Sequence, residues 1–394
     1  MARLYLPRAL AVRVTSAGWA VLLLAVVGWG LGLPLEWTEL RLLGATATLV
    51  LVVGLVTVLL PRRASATVTA RPDRTSVGSS TTIELEVRAG LLPVPSPVVR
   101  LEGDVASQVL RMKSLWPGRA RRESFEQPGR RRGIFTVGPV RHIQSDPLGL
   151  LRRTTSWGAP SSLWVRPRVV VPDAFVLGGV FDLEGTPSDQ MSMSDLAFHA
   201  LREYVPGDDL RRVHWRSSAK ADTLLVRQYH ESRSAHAAVV VDDDPGAYAL
   251  PAEYETAISV AASLAIRALT DGFEVDLVCG EGVTSPGGRE ALLDATCSWA
   301  LAPEDSTSGD VASRALHLAR RPGTSIGVGV VVSGSTCDLE RLLEATAAFG
   351  GDAQRIAVRV SPEGEGGVRA SHGVRVLEIA QLDQLPRLAA WVVA

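Results

Sequence analysis

Cysteine is scarce in this chain: three in 394 residues, Cys279, Cys297 and Cys337, an odd number set far apart. That pattern excludes a disulfide framework and the paired spacing of a zinc site, and it predicts reduced, mostly buried thiols in a cytosolic body. A charge excess is missing too. The 41 basic residues face 42 acidic ones, for a formal net charge of -1, whereas a general nucleic-acid binder carries a basic surplus to neutralise phosphates, so no nucleic-acid partner is expected. Local basic runs such as Gly129-Arg130-Arg131-Arg132, with Arg119, Arg121 and Arg122, read as solvated turns. The sequence has no G-x-x-x-x-G-K-[ST] loop, no G-x-S-x-G elbow and no paired zinc-ligand motif. Of seven histidines only His214 lies in a charged motif, and as a lone imidazole it reads as a structural hydrogen-bonding group without a catalytic role. Ser263 and Ser298 fall in apolar helical stretches and read as packing residues. No cofactor is expected.

Long apolar runs, by contrast, are present. Val14 to Leu35 and Leu42 to Leu60 carry no charge, and each is long enough for a bilayer-spanning helix of about 20 residues. Arg3, Arg8 and Arg13 precede the first run and Arg62, Arg63, Arg71 and Arg74 follow the second, while the connection holds Glu36, Glu39 and Arg41. The positive-inside rule then places both flanks in the cytoplasm. A signal peptide has a shorter apolar core and a cleavage site, and here a second run follows at once and stops at Pro61-Arg62-Arg63. The expectation is a multi-pass protein of the inner or plasma membrane, with its amino terminus and main body cytoplasmic. Trp37 suits the interfacial level, and Gly28, Gly30 and Gly32 either let helix backbones approach closely or are simply tolerated, as glycine often is in membrane helices.

From about residue 65 to 170 short alternating runs (ATVTA, TTIELEVRAG, RRGIFTVGPV, SSLWVRPRVVV) are broken by glycine and proline, the signature of antiparallel strands and here of a small β-sandwich. Asp146-Pro147-Leu148-Gly149 has the chemistry of a tight turn between two of them. Beyond residue 236 apolar strands alternate with helical stretches: AHAAVVV, a helix over Ala252 to Thr270, FEVDLVC, helices around Arg289 to Leu301 and Val311 to Arg320, SIGVGVVVS, a helix from Asp338 to Phe349, RIAVRV, VRVLEI and a terminal helix. Such alternation implies crossover connections and a mostly parallel sheet covered on both faces. The acids in Phe273 to Cys279 predict an edge strand, paired as a hairpin with EGVTS.

The densest polar segment is LREYVPGDDLRRVHWRSSAKADTLLVR, Leu201 to Arg227. Gly207-Asp208-Asp209 can open a helical turn, with Arg211, Arg212, His214 and Trp215 within two turns of it. Two readings follow. In one, Arg202, Glu203, Tyr204, Gly207, Asp208, Asp209, Arg212, His214, Trp215, Lys220 and Arg227 form a docking surface anchored by Arg212 and Trp215. In the other, Asp208 or Asp209 pairs with Arg202 or Arg212 as an internal clamp.

REYVPGDD, RRVHW, SAK and LLVRQY, together with the upstream RRGIFTVGPV and DPLGL, resemble the bacterial family called domain of unknown function 58. The resemblance implies a von Willebrand factor A-like domain after the motif. It also implies an association with AAA+ ATPases of the MoxR group, and often with membrane proteins bearing transglutaminase-like domains. A von Willebrand A-like domain raises the metal-ion-dependent adhesion site, which needs Asp-x-Ser-x-Ser, a threonine from a second loop and an aspartate after a later strand to build an oxygen shell for Mg²⁺. Here the first loop reads Asp242-Asp243-Asp244-Pro245-Gly246, the later one Ser333-Gly334-Ser335, and Thr307 or a nearby serine is left for the middle role. With two usual ligand positions changed, an adhesion-type site is not expected. The three carboxylates still require relief of their repulsion by a cation, a helix N-terminus or arginines.

The combined reading is a multidomain chain: a two-helix transmembrane hairpin over 1–63, an antiparallel β-sandwich over 64–172, a linker with the charged motif over 173–235, and a doubly wound, mostly parallel α/β domain of von Willebrand A-like type over 236–394. Its expected role is that of a membrane-anchored, non-enzymatic adaptor for a cytosolic MoxR-type AAA+ ATPase, acting in the assembly or maturation of protein complexes beside neighbouring membrane proteins. The alternative is a divergent divalent-metal- or ligand-binding protein, or an enzyme, with Asp242 and Asp244 as ligands and Mg²⁺ as the ion.

Overall fold

Two apolar helices, α1 (Ser16–Gly32) and α2 (Thr38–Leu59), run against each other near the start of the chain. The computed structural model describes residues 12–60, 64–104, 108–173, 196–205, 213–221, 223–231, 236–303, 310–322, 324–364 and 366–393, in two units, Met1–Arg166 and Pro167–Ala394. Small side chains make up most of what the helix pair buries: Gly18, Ala25, Gly28 and Gly32 on α1, with Gly44, Ala47, Gly54 and Val58 on α2. A Cβ on Gly28 would lie 2.7 Å from the Gly44 Cα, so backbones touch there, whereas Gly30 faces open space. Trp29 Nε1 donates to Thr48 Oγ1 across the pair at 3.1 Å, and Arg41 Nε donates to the Gly32 carbonyl at 2.8 Å, satisfying a helix-end acceptor. By length and composition α2 is able to cross a membrane, and it is mostly exposed; α1 is as apolar but has 17 residues. The first run is shorter than the sequence suggests because Val14 belongs to the strand Val12–Val14 and a turn through Pro34 closes the helix.

Ten strands complete the first unit: β1 (Val12–Val14), β2 (Ala64–Arg71), β3 (Arg74–Ser76), β4 (Ser80–Ala89), β5 (Val98–Gly103), β6 (Gln108–Arg111), β7 (Ala120–Pro128), β8 (Gly133–Ser145), β9 (Leu151–Trp157) and β10 (Ser161–Arg166). Strands β2-β4-β7 form one antiparallel sheet; the other runs β1-β9-β8-β10-β3, with β5 and β6 added at β8. In β4, Ile83, Leu85 and Val87 point inward and Glu84 and Glu86 outward, the period-two pattern that fixes register. They meet Leu101, Val137, Val140, Trp157, Leu163 and Val165 of the second sheet in one core. Among the described residues of this unit, only β10 and β3 pair in parallel.

The helices are tied into this unit by polar bonds at their ends. Thr15 caps α1, accepting from Gly18 N at 3.1 Å, and its own N–H donates to the Leu150 carbonyl at 2.9 Å. Gln144 Nε2 donates to the Thr57 carbonyl at 2.7 Å, and Arg153 Nη1 reaches the Val58 and Leu59 carbonyls at 3.4 and 3.3 Å, so orphan acceptors at the end of α2 find donors in the sandwich. The turn after β8 is held by the buried Asp146, which accepts from Leu148 N at 3.0 Å and Leu151 N at 2.6 Å.

In the second unit, β11 (Leu196–Glu203) and β12 (Leu225–Glu231) pair as an antiparallel hairpin around α3 (Trp215–Ala221). The 173–235 stretch read as a linker therefore contains regular structure. There follow β13 (His236–Val241), α4 (Pro251–Thr270), β14 (Glu274–Cys279), β15 (Gly282–Thr284), α5 (Arg289–Thr296), α6 (Val311–Ala319), β16 (Ile326–Ser333), α7 (Leu339–Ala347), β17 (Gln354–Val360), β18 (Gly367–Ser371), β19 (Val374–Ile379) and α8 (Leu385–Val393). The sheet order is β15-β14-β13-β16-β17-β19-β18, parallel from β14 to β19 and antiparallel at both edges. Strand β14 pairs with β15 as the expected hairpin with EGVTS, which makes β15 the edge strand, and Asp276 is buried with bonds from Ser285 and Arg321. Helix α5 ends at Thr296, short of the expected Leu301, which leaves Ser298 exposed. Ser263 is buried in α4, donating to Ser259 O at 2.6 Å and accepting from Val170 N at 3.0 Å. Cys297 and Cys337 are buried, Cys279 half-buried, and none of the three is in a disulfide.

Candidate functional site: the carboxyl edge of the parallel sheet and the charged hairpin

Strands β13 and β16 are sheet neighbours, yet the chain leaves β13 toward β14 on one side and enters β16 on the other. Their carboxyl ends therefore form a topological switch point, the usual ligand or partner position in open α/β sheets. Asp242 ends β13 there and Ser333 ends β16. The Asp242 carboxylate is almost wholly buried; it accepts from Ser333 Oγ at 2.8 Å and from Asp244 N at 3.2 Å. Burial raises its pKa above the ordinary aspartate value, more than the bonds from Ser333 and Asp244 N lower it. Tyr248 donates its hydroxyl to the Asp242 carbonyl at 2.6 Å, and burial raises that phenol well above its usual range. Gly334 is required beside it, because a Cβ would sit 2.3 Å from the Ala247 carbonyl oxygen.

Arginines relieve the acidic run. Asp243 is ion-paired with Arg314 of α6, both side chains being under a tenth exposed. Asp244 caps the 3-10 turn Pro245–Ala247 through Gly246 N at 2.9 Å and has Arg341 of α7 at 3.5 Å. Arg341 also holds Asp310 at 2.8 Å. Partial burial works against the Arg341 charge, but Asp310 outweighs it and raises its pKa. Glu253, buried in the first turn of α4, accepts from Ser335 Oγ at 2.9 Å and Ser335 N at 3.2 Å, while Arg359 donates to the Ser335 carbonyl. Burial raises the Cys337 thiol as well. The three consecutive carboxylates thus diverge toward separate partners. Among the described residues no group of three His, Cys, Asp or Glu side chains is placed to hold a metal ion; Thr307 lies outside the described residues. Ser333 and Ser335 enter this network as donors to Asp242 and Glu253. Sequence spacing could not have revealed Arg314 and Arg341, which lie 71 and 97 positions from their aspartates.

The charged motif is placed in part. Glu203 ends β11 opposite Leu225, Tyr204 N donates to the Leu224 carbonyl at 2.8 Å, Arg202 pairs in register with Val226 and Arg227 with Leu201. Gly207, Asp208, Asp209 and Arg212, and with them the clamp pairings, lie outside the described residues. His214 starts α3: its Nδ1 accepts from Ser217 N at 3.2 Å, and its N–H donates to the Leu225 carbonyl at 2.8 Å. The buried Ser218 accepts from Leu225 N at 2.8 Å and fastens α3 to β12. Held this way, α3 presents Trp215, 64% exposed, and Lys220 of the same helix is exposed too. Sequence reasoning named Trp215 but missed Ser218, whose role depends on the hairpin forming.

Fold and site define a multidomain protein with several β-sheets, an apolar helix of membrane-spanning length and an α/β domain preceded by a charged hairpin. Residues 200–375 match the family described as "Protein of unknown function DUF58", which takes in the motif and most of the parallel sheet. The chain is 27% identical over 205 residues to "Uncharacterized protein YeaD" of Bacillus subtilis (strain 168), an alignment covering 51% of this chain and 48% of that one. It therefore spans about half the length of that curated relative. Among solved structures, the CARDB domain of PF1109 from Pyrococcus furiosus overlaps 24% of this chain and 94% of its own, at 16% identity and a TM-score of 0.18. The alkylpurine DNA glycosylase AlkC of Pseudomonas fluorescens overlaps 36% and 44%, at 17% identity and a TM-score of 0.20.

Proposed function

We propose that this protein is a membrane-anchored, non-enzymatic adaptor, and that its partner is a cytosolic AAA+ ATPase of the MoxR group. In this reading α1 and α2 both cross the inner or plasma membrane, with the amino terminus and the body in the cytoplasm. Support comes from the helix surfaces, which turn Leu23, Val26, Leu49 and Val56 outward and bury small residues, the inverse of a soluble amphipathic helix. The second unit is a von Willebrand A-like domain in this reading, consistent with a sheet order in which a short antiparallel strand, β15, precedes β14, β13, β16, β17 and β19.

The observation that carries the adaptor role is Trp215. A tryptophan held 64% exposed on a helix that is itself fastened to β12 supplies a rigid apolar anchor for a partner. The carboxylates at the sheet edge, committed to internal donors, support a surface that keeps its shape. The test is affinity purification with crosslinking of the full-length protein from its own membranes, beside a Trp215→Ala, Lys220→Ala variant. Recovery of an AAA+ ATPase that the folded variant loses is the expected result. Equal recovery from both would move the interface elsewhere, and no ATPase from either would overturn the assignment.

A further inference from the structure

One end of the sandwich, the end from which the helices leave, differs from the rest of its surface. Strand β1 runs directly into α1, α2 runs into β2 at Ala64, and Ala64 pairs with Ala89. The loop after Ala89 and the turn before β7 are joined there, through Ala89 N to the Arg119 carbonyl at 3.2 Å and Val94 N to the Leu115 carbonyl at 2.9 Å. The Asp146–Gly149 turn meets the first turn of α1 through Thr15. These segments carry exposed apolar tips: Leu91 is 95% exposed, Trp116 65% and Leu148 65%. Charge there has one sign. Segments 12–15, 88–98, 111–121 and 145–153 contain seven arginines and a lysine; their one carboxylate, Asp146, is buried in its turn, and Arg88 pairs with Glu86 of β4 at 3.3 Å. Arg13 and Arg152 stand directly opposite each other on β1 and β9, both exposed. Like charges so placed repel unless an anion lies between them.

A bilayer interface accepts bare leucine and tryptophan tips among arginines, taking rings and leucines at headgroup depth and guanidinium groups on phosphates. We propose that this end of the sandwich rests on the anionic leaflet: Leu91, Trp116 and Leu148 enter the interfacial zone, and Arg13, Arg119 and Arg152 bind phospholipid headgroup phosphates. The proposal rests on the membrane-spanning reading of α1 and α2. It assigns the sandwich a lipid-binding role and fixes that domain close to the membrane.

Full-length protein in nanodiscs tests it, with a fluorescent label on an introduced cysteine at Leu91, Leu148, Ile134 or Leu49 and quenching by bromine-labelled lipid. Ile134 lies at the far end of β8, 12 residues or roughly 40 Å from Asp146. Quenching at Leu91 and Leu148 but not at Ile134 is expected. It should be stronger with phosphatidylglycerol than with phosphatidylcholine alone, a preference that falls roughly fivefold per arginine in the Arg13→Gln and Arg152→Gln variants. A quenched Leu49 with unquenched Leu91 and Leu148 keeps the anchor and overturns the platform. An unquenched Leu49 overturns the spanning reading and the platform with it. Lipid preference that is unaltered by both arginine variants, or abolished by inorganic phosphate, overturns the headgroup assignment.

Discussion

Removing the Arg314 guanidinium isolates a buried charge and so tests the account of the sheet edge. Arg314 and Asp243 are 8% and 5% exposed and in direct contact. Arg314→Ala leaves the Asp243 carboxylate without its cation, which costs about 3–5 kcal/mol for a buried pair. With a urea slope of about 3 kcal/mol per molar for a domain of this size, the midpoint should fall by about 1–2 M. The three cysteines offer a selective assay, since all lie in the second unit and two are buried. Alkylation of Cys297 and Cys337 in short pulses across a urea series reads the opening of that unit alone. Arg314→Met with Asp243→Asn should recover most of the loss, because neither substituted side chain carries charge. A shift within about 0.5 kcal/mol, the usual range for surface changes, would refute the pairing argument. A double variant as unstable as Arg314→Ala would show that packing of the arginine stem mattered, and not its charge.

Asp242 makes a pH prediction of the less common sign. Its folded pKa is raised, so the stability tied to its protonated form is full below the unfolded value and is lost as pH rises through the folded one. Asp242→Asn should therefore be neutral to stabilising at pH 7 and should flatten the acid limb of a Cys337 protection curve; destabilisation at pH 7 would count against burial as the dominant cause. Gly28→Leu should separate α1 from α2 at a cost of about 1–3 kcal/mol or more, read by thermal unfolding in detergent, whereas Gly30→Leu, with open space around it, should be silent. Ser218→Ala leaves Leu225 N without its acceptor and should cost about 1–3 kcal/mol. Trp215→Ala, at an exposed site, should stay within about 0.5 kcal/mol by the same denaturation assay.

Periodicity and composition carried the local structure. The alternation in TTIELEVRAG set β4 and its inward face, the apolar run from Leu42 set α2, and AHAAVVV, FEVDLVC, SIGVGVVVS, RIAVRV and VRVLEI became the five parallel strands in the expected alternation with helices. Such signals are legible because a residue's neighbours at two or 3.6 positions share its face whatever the rest of the chain does. Distance in sequence hid the remainder. Val14 looks like the start of an apolar span, and only β9, some 140 residues on, draws it into the strand Val12–Val14. The acidic run at Asp242 announced a demand for counter-charge, yet nothing local says that Arg314 and Arg341 meet it, and Ser218 becomes an acceptor only once Leu225 is brought beside it. Face and element type are thus properties of short stretches. Which charge a carboxylate meets, and which end of a sandwich faces a helix pair, arise when crossovers and sheet pairing bring remote residues together, and the tertiary structure alone decides them.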